Sequence, residues 1–119
     1  MNNTLFLPLK KKWFDLIKAG VKKEEYRELS YHWTTRLFRV KEMQDFFGVS
    51  DITPLASGVA QETFAKEFDQ VVFTLGYPKA DDAERRMTFK NPKIRIDKGR
   101  PEWGAEPGKI YFVITWEAK

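Results

Sequence analysis

Trp13-Phe14-Asp15-Leu16-Ile17-Lys18-Ala19-Gly20-Val21-Lys22-Lys23-Glu24-Glu25-Tyr26-Arg27 holds two hydrophobic periods that meet at one glycine. Before Gly20, the residues Trp13, Phe14 and Ile17 recur at helical spacing, and Lys18 falls in the last turn, where a cation complements the helix dipole. Gly20 takes the place of a left-handed C-cap, so a helix is expected to end there. Beyond it the period becomes two. Lys23, Glu25 and Arg27 point to one side and Glu24, Tyr26 and Glu28 to the other, so Glu25 and Arg27 share a strand face.

Outward from this junction, Thr4–Leu9 reads as a first strand that Pro8 restricts to a sheet edge or to its own last positions. Tyr31 to Phe47 mixes aromatic and charged residues and predicts short helices around Trp33 to Phe38 and Lys41 to Phe47. Gly48 to Gly58 has a loop composition, and Gln61 to Lys66 reads as a short helical turn. Val71 to Leu75 is a buried strand by length and β-branching, closed by Gly76, Tyr77 and Pro78. Met87 and Phe89, then Ile94 and Ile96, alternate with polar residues and describe two half-buried strands joined through Asn91-Pro92. Ile110, Phe112, Ile114 and Trp116 line one side of a last strand, after a turn at Pro107-Gly108. About six short strands with a helix after the first predict an α+β fold. Its sheet, mixed or antiparallel, would curl into a small β-barrel flanked by short helices.

A chain of 119 residues has room for one domain, spanning 1–119, and one core. Apolar residues at 42% and charged residues at 32% describe a globule with a well-solvated surface. Cysteine is absent, which removes disulfides and thiolate metal sites, and His32 is the only imidazole. Neither a metal nor a cofactor is expected. The N-terminal residues lack a basic n-region and no apolar run is long enough to span a bilayer, so a cytoplasmic location is the expectation, with a monomer as the default. The net charge of +4 conceals a gradient: Lys and Arg outnumber Asp and Glu by 10 to 4 in residues 1–41 and by 9 to 4 in residues 85–119, whereas residues 42–84 carry 2 against 9. Two basic ends adjacent in the fold would make a face for phosphate backbones. The acidic stretch Glu42 to Glu84 is a candidate for docking a protein partner.

Lys22, just past the helix end, can meet a phosphate as a point charge or, if desolvated, serve as base or nucleophile. Glu25 can pair with a neighbouring cation or handle a substrate proton, and Arg27 suits bidentate contact with phosphate or carboxylate. Tyr31 and Trp33 offer faces for stacking an unpaired base, as does Tyr77 after Gly76; core packing is the competing role, with Leu37 and Phe38 close behind. Glu102, in the loop Pro101-Glu102-Trp103-Gly104, is a second carboxylate that a closing loop could bring to a cleft. Lys10-Lys11-Lys12 opens the helix, where cations oppose the dipole, so Lys10 is a candidate backbone contact, against the plainer reading of a solvated corner.

Gly20-x-Lys22-x-x-Glu25-x-Arg27, followed by Tyr31, Trp33 and Arg36, by Gly76-Tyr77 and by Pro101-Glu102-Trp103-Gly104 before the final strand, resembles the ASCH domain, a family related to the PUA fold. The resemblance implies a PUA-like barrel with a cleft lined by the motif residues and a function in binding RNA or a modified nucleoside. One bacterial branch of small ASCH-like proteins hydrolyses N4-acetylcytidine and places a catalytic threonine three residues after its lysine. Glu25 stands at that offset here, so an amidohydrolase using Lys22 and Glu25 is the alternative, and a protein interaction module is the second alternative.

Overall fold

In a computed structural model, which describes residues 3–48 and 64–117, strands are β1 (Thr4–Leu9), β2 (Glu25–Arg27), β3 (Gln70–Leu75), β4 (Arg86–Lys98) and β5 (Ile110–Glu117). Among the described residues there are three α-helices, α1 (Lys11–Lys18), α2 (Tyr31–Leu37) and α3 (Val40–Phe47). The strands form one five-stranded sheet in the order β1-β3-β4-β5-β2. It is mixed. β1 runs parallel to β3, pairing Thr4 with Gln70 and Leu9 with Leu75, whereas β4 is antiparallel to β3 and pairs Phe89 with Val71. β1 stands at one end of the order, the position expected of a strand containing Pro8. The loop Gly48 to Gly58 lies, apart from Gly48, outside the described residues, as do residues 61–63 of the expected helical turn. Its described remainder is not helical: Ala65 makes an isolated antiparallel bridge to Phe38.

Two compact units are distinguishable. The first comprises Met1–Glu25, Glu67–Lys93 and Thr115–Lys119, and the second Tyr26–Lys66 and Ile94–Ile114. In the first, period-two alternation in β1 buries Leu5, Leu7 and Leu9 and leaves Phe6 exposed, while Phe14 and Ile17 of α1 and Val71, Val72 and Phe73 of β3 complete the core. Helix α1 ends as its sequence predicts. Gly20 is left-handed (φ 77°), the Gly20 N–H donates to Ile17 O and the Val21 N–H to Leu16 O, the paired bonds of a Schellman motif. In the second unit, Leu37, Phe38, Met43, Ile94 and Tyr111 to Ile114 are buried, with the Phe38 and Phe112 rings 5.3 Å apart. Ser30 caps α2, its hydroxyl oxygen accepting from the Trp33 N–H.

The strands expected at Met87–Phe89 and Ile94–Ile96 are one strand of 13 residues. Asn91 is left-handed (φ 51°), and the half-buried or buried apolar positions change parity across it, from Met87 and Phe89 to Pro92, Ile94 and Ile96. One extra residue in a strand flips every later side chain to the opposite face. That parity break reads, in sequence, the same as a turn. Counted this way, the described residues hold five strands rather than about six.

Candidate functional site

The motif residues separate into two clusters. In the first unit, Lys22 is 2% exposed and Glu25 7%, and the Lys22 ammonium lies 2.9 Å from Glu25 Oε1. The same ammonium sits 4.3 Å from the centroid of the Trp13 ring, which Lys12 approaches to 4.7 Å. The Schellman turn explains this placement. It reverses the chain at Gly20, and the Lys22 N–H donates to Leu16 O, holding Lys22 against the end of its own helix. A charge removed from water requires a partner, and Glu25 with the Trp13 face supplies one.

Gly20 and Lys22 line a cleft of about 910 Å3, all of whose walls belong to the first unit. Lys18 and Lys23 join them from the chain around the turn, and Arg86, Thr88 and Phe89 come from β4, with Trp116 from β5. Glu84 is the acidic member of the lining. The aromatic wall is braced from within: the fully buried Phe73 ring lies 5.9 Å from Phe89 and 4.8 Å from Trp116, and Phe89 and Trp116 are 5.7 Å apart. A cationic rim beside fixed aromatic rings suits a ligand that pairs negative charge with a flat apolar ring.

The second cluster lies in the second unit. Arg27 stacks its guanidinium 4.8 Å from the Trp33 ring, Arg36 approaches the same ring to 5.9 Å, and His32 meets it edge-on at 5.0 Å. Trp33 is half-buried and Tyr31 is 72% exposed, so neither takes the core-packing role; Leu37 and Phe38 are the buried residues of this stretch. A guanidinium already lies over the Trp33 ring, leaving a base at most the opposite face. Trp33 therefore orients Arg27 more directly than it offers a platform.

Glu102 is exposed in a 3-10 turn, 3.9 Å from the Arg100 guanidinium. Lys10 and Tyr77 are exposed in the first unit, Tyr77 at 92%, and neither belongs to the cleft lining. Of the expected site residues, only Lys22 lines the cleft, with Glu25 paired to it. Lys18 and Lys23 join the lining from the chain around the turn, whereas Arg86, Phe89 and Trp116 carry no local sequence signal, because β4 and β5 reach this cleft only through the fold. Among the described residues no group of three or more His, Cys, Asp or Glu could hold a metal ion, and no helix is long and apolar enough to cross a membrane. Comparison with family models, with curated proteins and with solved structures finds no match to the chain.

Proposed function

We propose that this is an ASCH-type protein that binds RNA or a modified nucleoside in the cleft beside Gly20 and Lys22. The observation that carries the reading is the convergence of Lys18, Lys22, Lys23 and Arg86 with the rings of Phe89 and Trp116 around about 910 Å3. Cations attract the phosphate backbone, and an aromatic face contributes about 1–3 kcal/mol per stacked base. On this reading the five-stranded sheet curls toward a PUA-like barrel and the protein works in the cytoplasm as a single copy. Titration with short single-stranded RNAs and modified nucleosides, followed by tryptophan fluorescence, tests it. The expected result is quenching that weakens as salt rises and that Trp116→Phe removes. Unchanged fluorescence with every RNA and nucleoside overturns it.

The buried Lys22–Glu25 pair favours a second reading, an amidohydrolase for N4-acetylcytidine-like nucleosides. Transfer of the ammonium proton to Glu25 would leave Lys22 as a neutral base or nucleophile at the cleft wall. Overnight incubation with N4-acetylcytidine should then release cytidine and acetate; no release at high protein concentration rejects this reading.

A further inference from the structure

We propose that the cleft selects ligands bearing a phosphate group, and that Arg86 is the phosphate anchor in place of the motif lysine. The inference rests on the cleft being the binding site and names the chemical class it takes: a nucleotide or a phosphate of a nucleic-acid strand, rather than a bare nucleoside.

The cations of the cleft are not equivalent. Lys22 already has a buried carboxylate at 2.9 Å and a half-buried aromatic face at 4.3 Å. A phosphate would have to compete with Glu25 for that ammonium and would meet Glu25's charge behind it. Arg86 is differently placed. It begins β4 opposite Thr74, and Nη2 donates to Pro78 O at 3.2 Å and Lys79 O at 3.1 Å. Those carbonyls hold the guanidinium without neutralising it. Among the described residues no carboxylate lies within ion-pair distance of Arg86, and its buried Nε has no acceptor.

A half-buried guanidinium that lacks a counter-charge is unfavourable alone and is relieved by an anion. Phosphate fits the guanidinium through charge-assisted, often paired hydrogen bonds, and a side chain already held by two carbonyls loses little freedom on binding. Lys18 and Lys23, exposed on the same cleft, add long-range attraction without fixed geometry. Trp116 and Phe89 then receive the base. Lys22 keeps the turn in place, and Arg86 reads the phosphate.

The test compares cytidine with cytidine 5′-monophosphate, each titrated into the intact protein at low and high salt, with inorganic phosphate as a competitor. Wild-type protein should bind the nucleotide roughly tenfold or more tightly than the nucleoside, in keeping with one added charge-assisted contact. That preference should shrink with salt, and phosphate should compete. Arg86→Gln should abolish the preference, and Arg86→Lys should retain part of it. Melting curves check that both variants fold, and the wild-type comparison stands even if they do not. Equal affinity for nucleotide and nucleoside overturns the phosphate anchor and leaves the cleft as a nucleoside site. Unchanged preference in a folded Arg86→Gln also overturns it. Phosphate binding that Arg86→Gln removes, with no response to any base-bearing ligand, supports the anchor and overturns the nucleic-acid reading instead. Silence with all probes overturns both.

Discussion

Lys22 and Arg27 both lie against a tryptophan, yet the two contacts have opposite characters. Lys22 on Trp13 is enclosed, with a carboxylate at 2.9 Å and almost no exposed surface. Arg27 on Trp33 is half-buried, and its ring neighbour also meets the exposed Arg36. The difference teaches that a cation–aromatic contact acquires its role from its surroundings. Where water is excluded, the charges depend on each other and removing one strands the next. Where water remains, the contact is an adjustable surface feature of small energy.

The strongest challenge to this contrast is Lys22→Met. It removes the ammonium 2.9 Å from the buried Glu25 and should lower stability by about 3–5 kcal/mol, read as a large fall in denaturant midpoint. Lys22→Met combined with Glu25→Leu should recover most of that loss, since an apolar pair of similar volume can replace a buried ion pair. A folded single variant of nearly wild-type stability would show that the enclosed pair is not structural. Next in size is Gly20→Ala, which tests the turn that delivers Lys22. A Cβ there meets nothing within 4 Å, so its effect is the conformational cost of φ 77°, about 1–2 kcal/mol.

Smaller effects belong to the second cluster. Arg36→Ala should cost about 0.5 kcal/mol or less, because the residue is exposed and 5.9 Å from the Trp33 centroid. A loss comparable to that of Lys22→Met would erase the distinction. The smallest effect is a pH dependence in the same unit. The Lys98 backbone N–H at 2.8 Å, assisted by Arg95, holds the Asp97 carboxyl below its ordinary value. Its contribution is therefore present above the ordinary carboxylate pKa and fades as pH falls through the lowered folded value. Lys109 is the mirror case: its hydrogen bond to Glu28 raises its pKa, so that contribution is present below the ordinary lysine value and fades as pH rises through the raised one. Melting temperatures of wild type and Asp97→Asn should converge in acid and differ only slightly at neutral pH; a widening gap in acid would reverse the sign.

Local signals proved the most legible. The end of α1, the strand at Val71 to Leu75 and the turn at Gly108 each depend on a few neighbouring residues, and each formed where its chemistry required. Asn91-Pro92 failed for the same reason that the others succeeded: a local pattern cannot tell a turn from an extra residue within a strand, since both shift parity by one. Only pairing with β3 and the continuing strand distinguish them.

The candidate site was legible in part. Lys22 and Glu25 stand three residues apart, within reach of each other after a tight turn, and sequence could mark them as a pair. Their burial could not be read, because it depends on Trp13 and on the packing of α1. Arg86, Phe89 and Trp116 were even less accessible to sequence, lying more than sixty residues beyond Gly20 along the chain.

By itself, then, the sequence determined where the first helix ends, where the last strand is preceded by a turn, which faces are apolar and that a glycine, a lysine, a glutamate and an arginine follow one another after the first helix. Tertiary structure alone decided which charges keep their water. It enclosed Lys22 with Glu25, left Arg86 held by two carbonyls, and brought two aromatic rings from β4 and β5 to the same cleft. The physical reason is that periodicity and turn chemistry act over a few residues. Desolvation, by contrast, is set by whatever the folded chain places alongside a charge, from any distance in sequence.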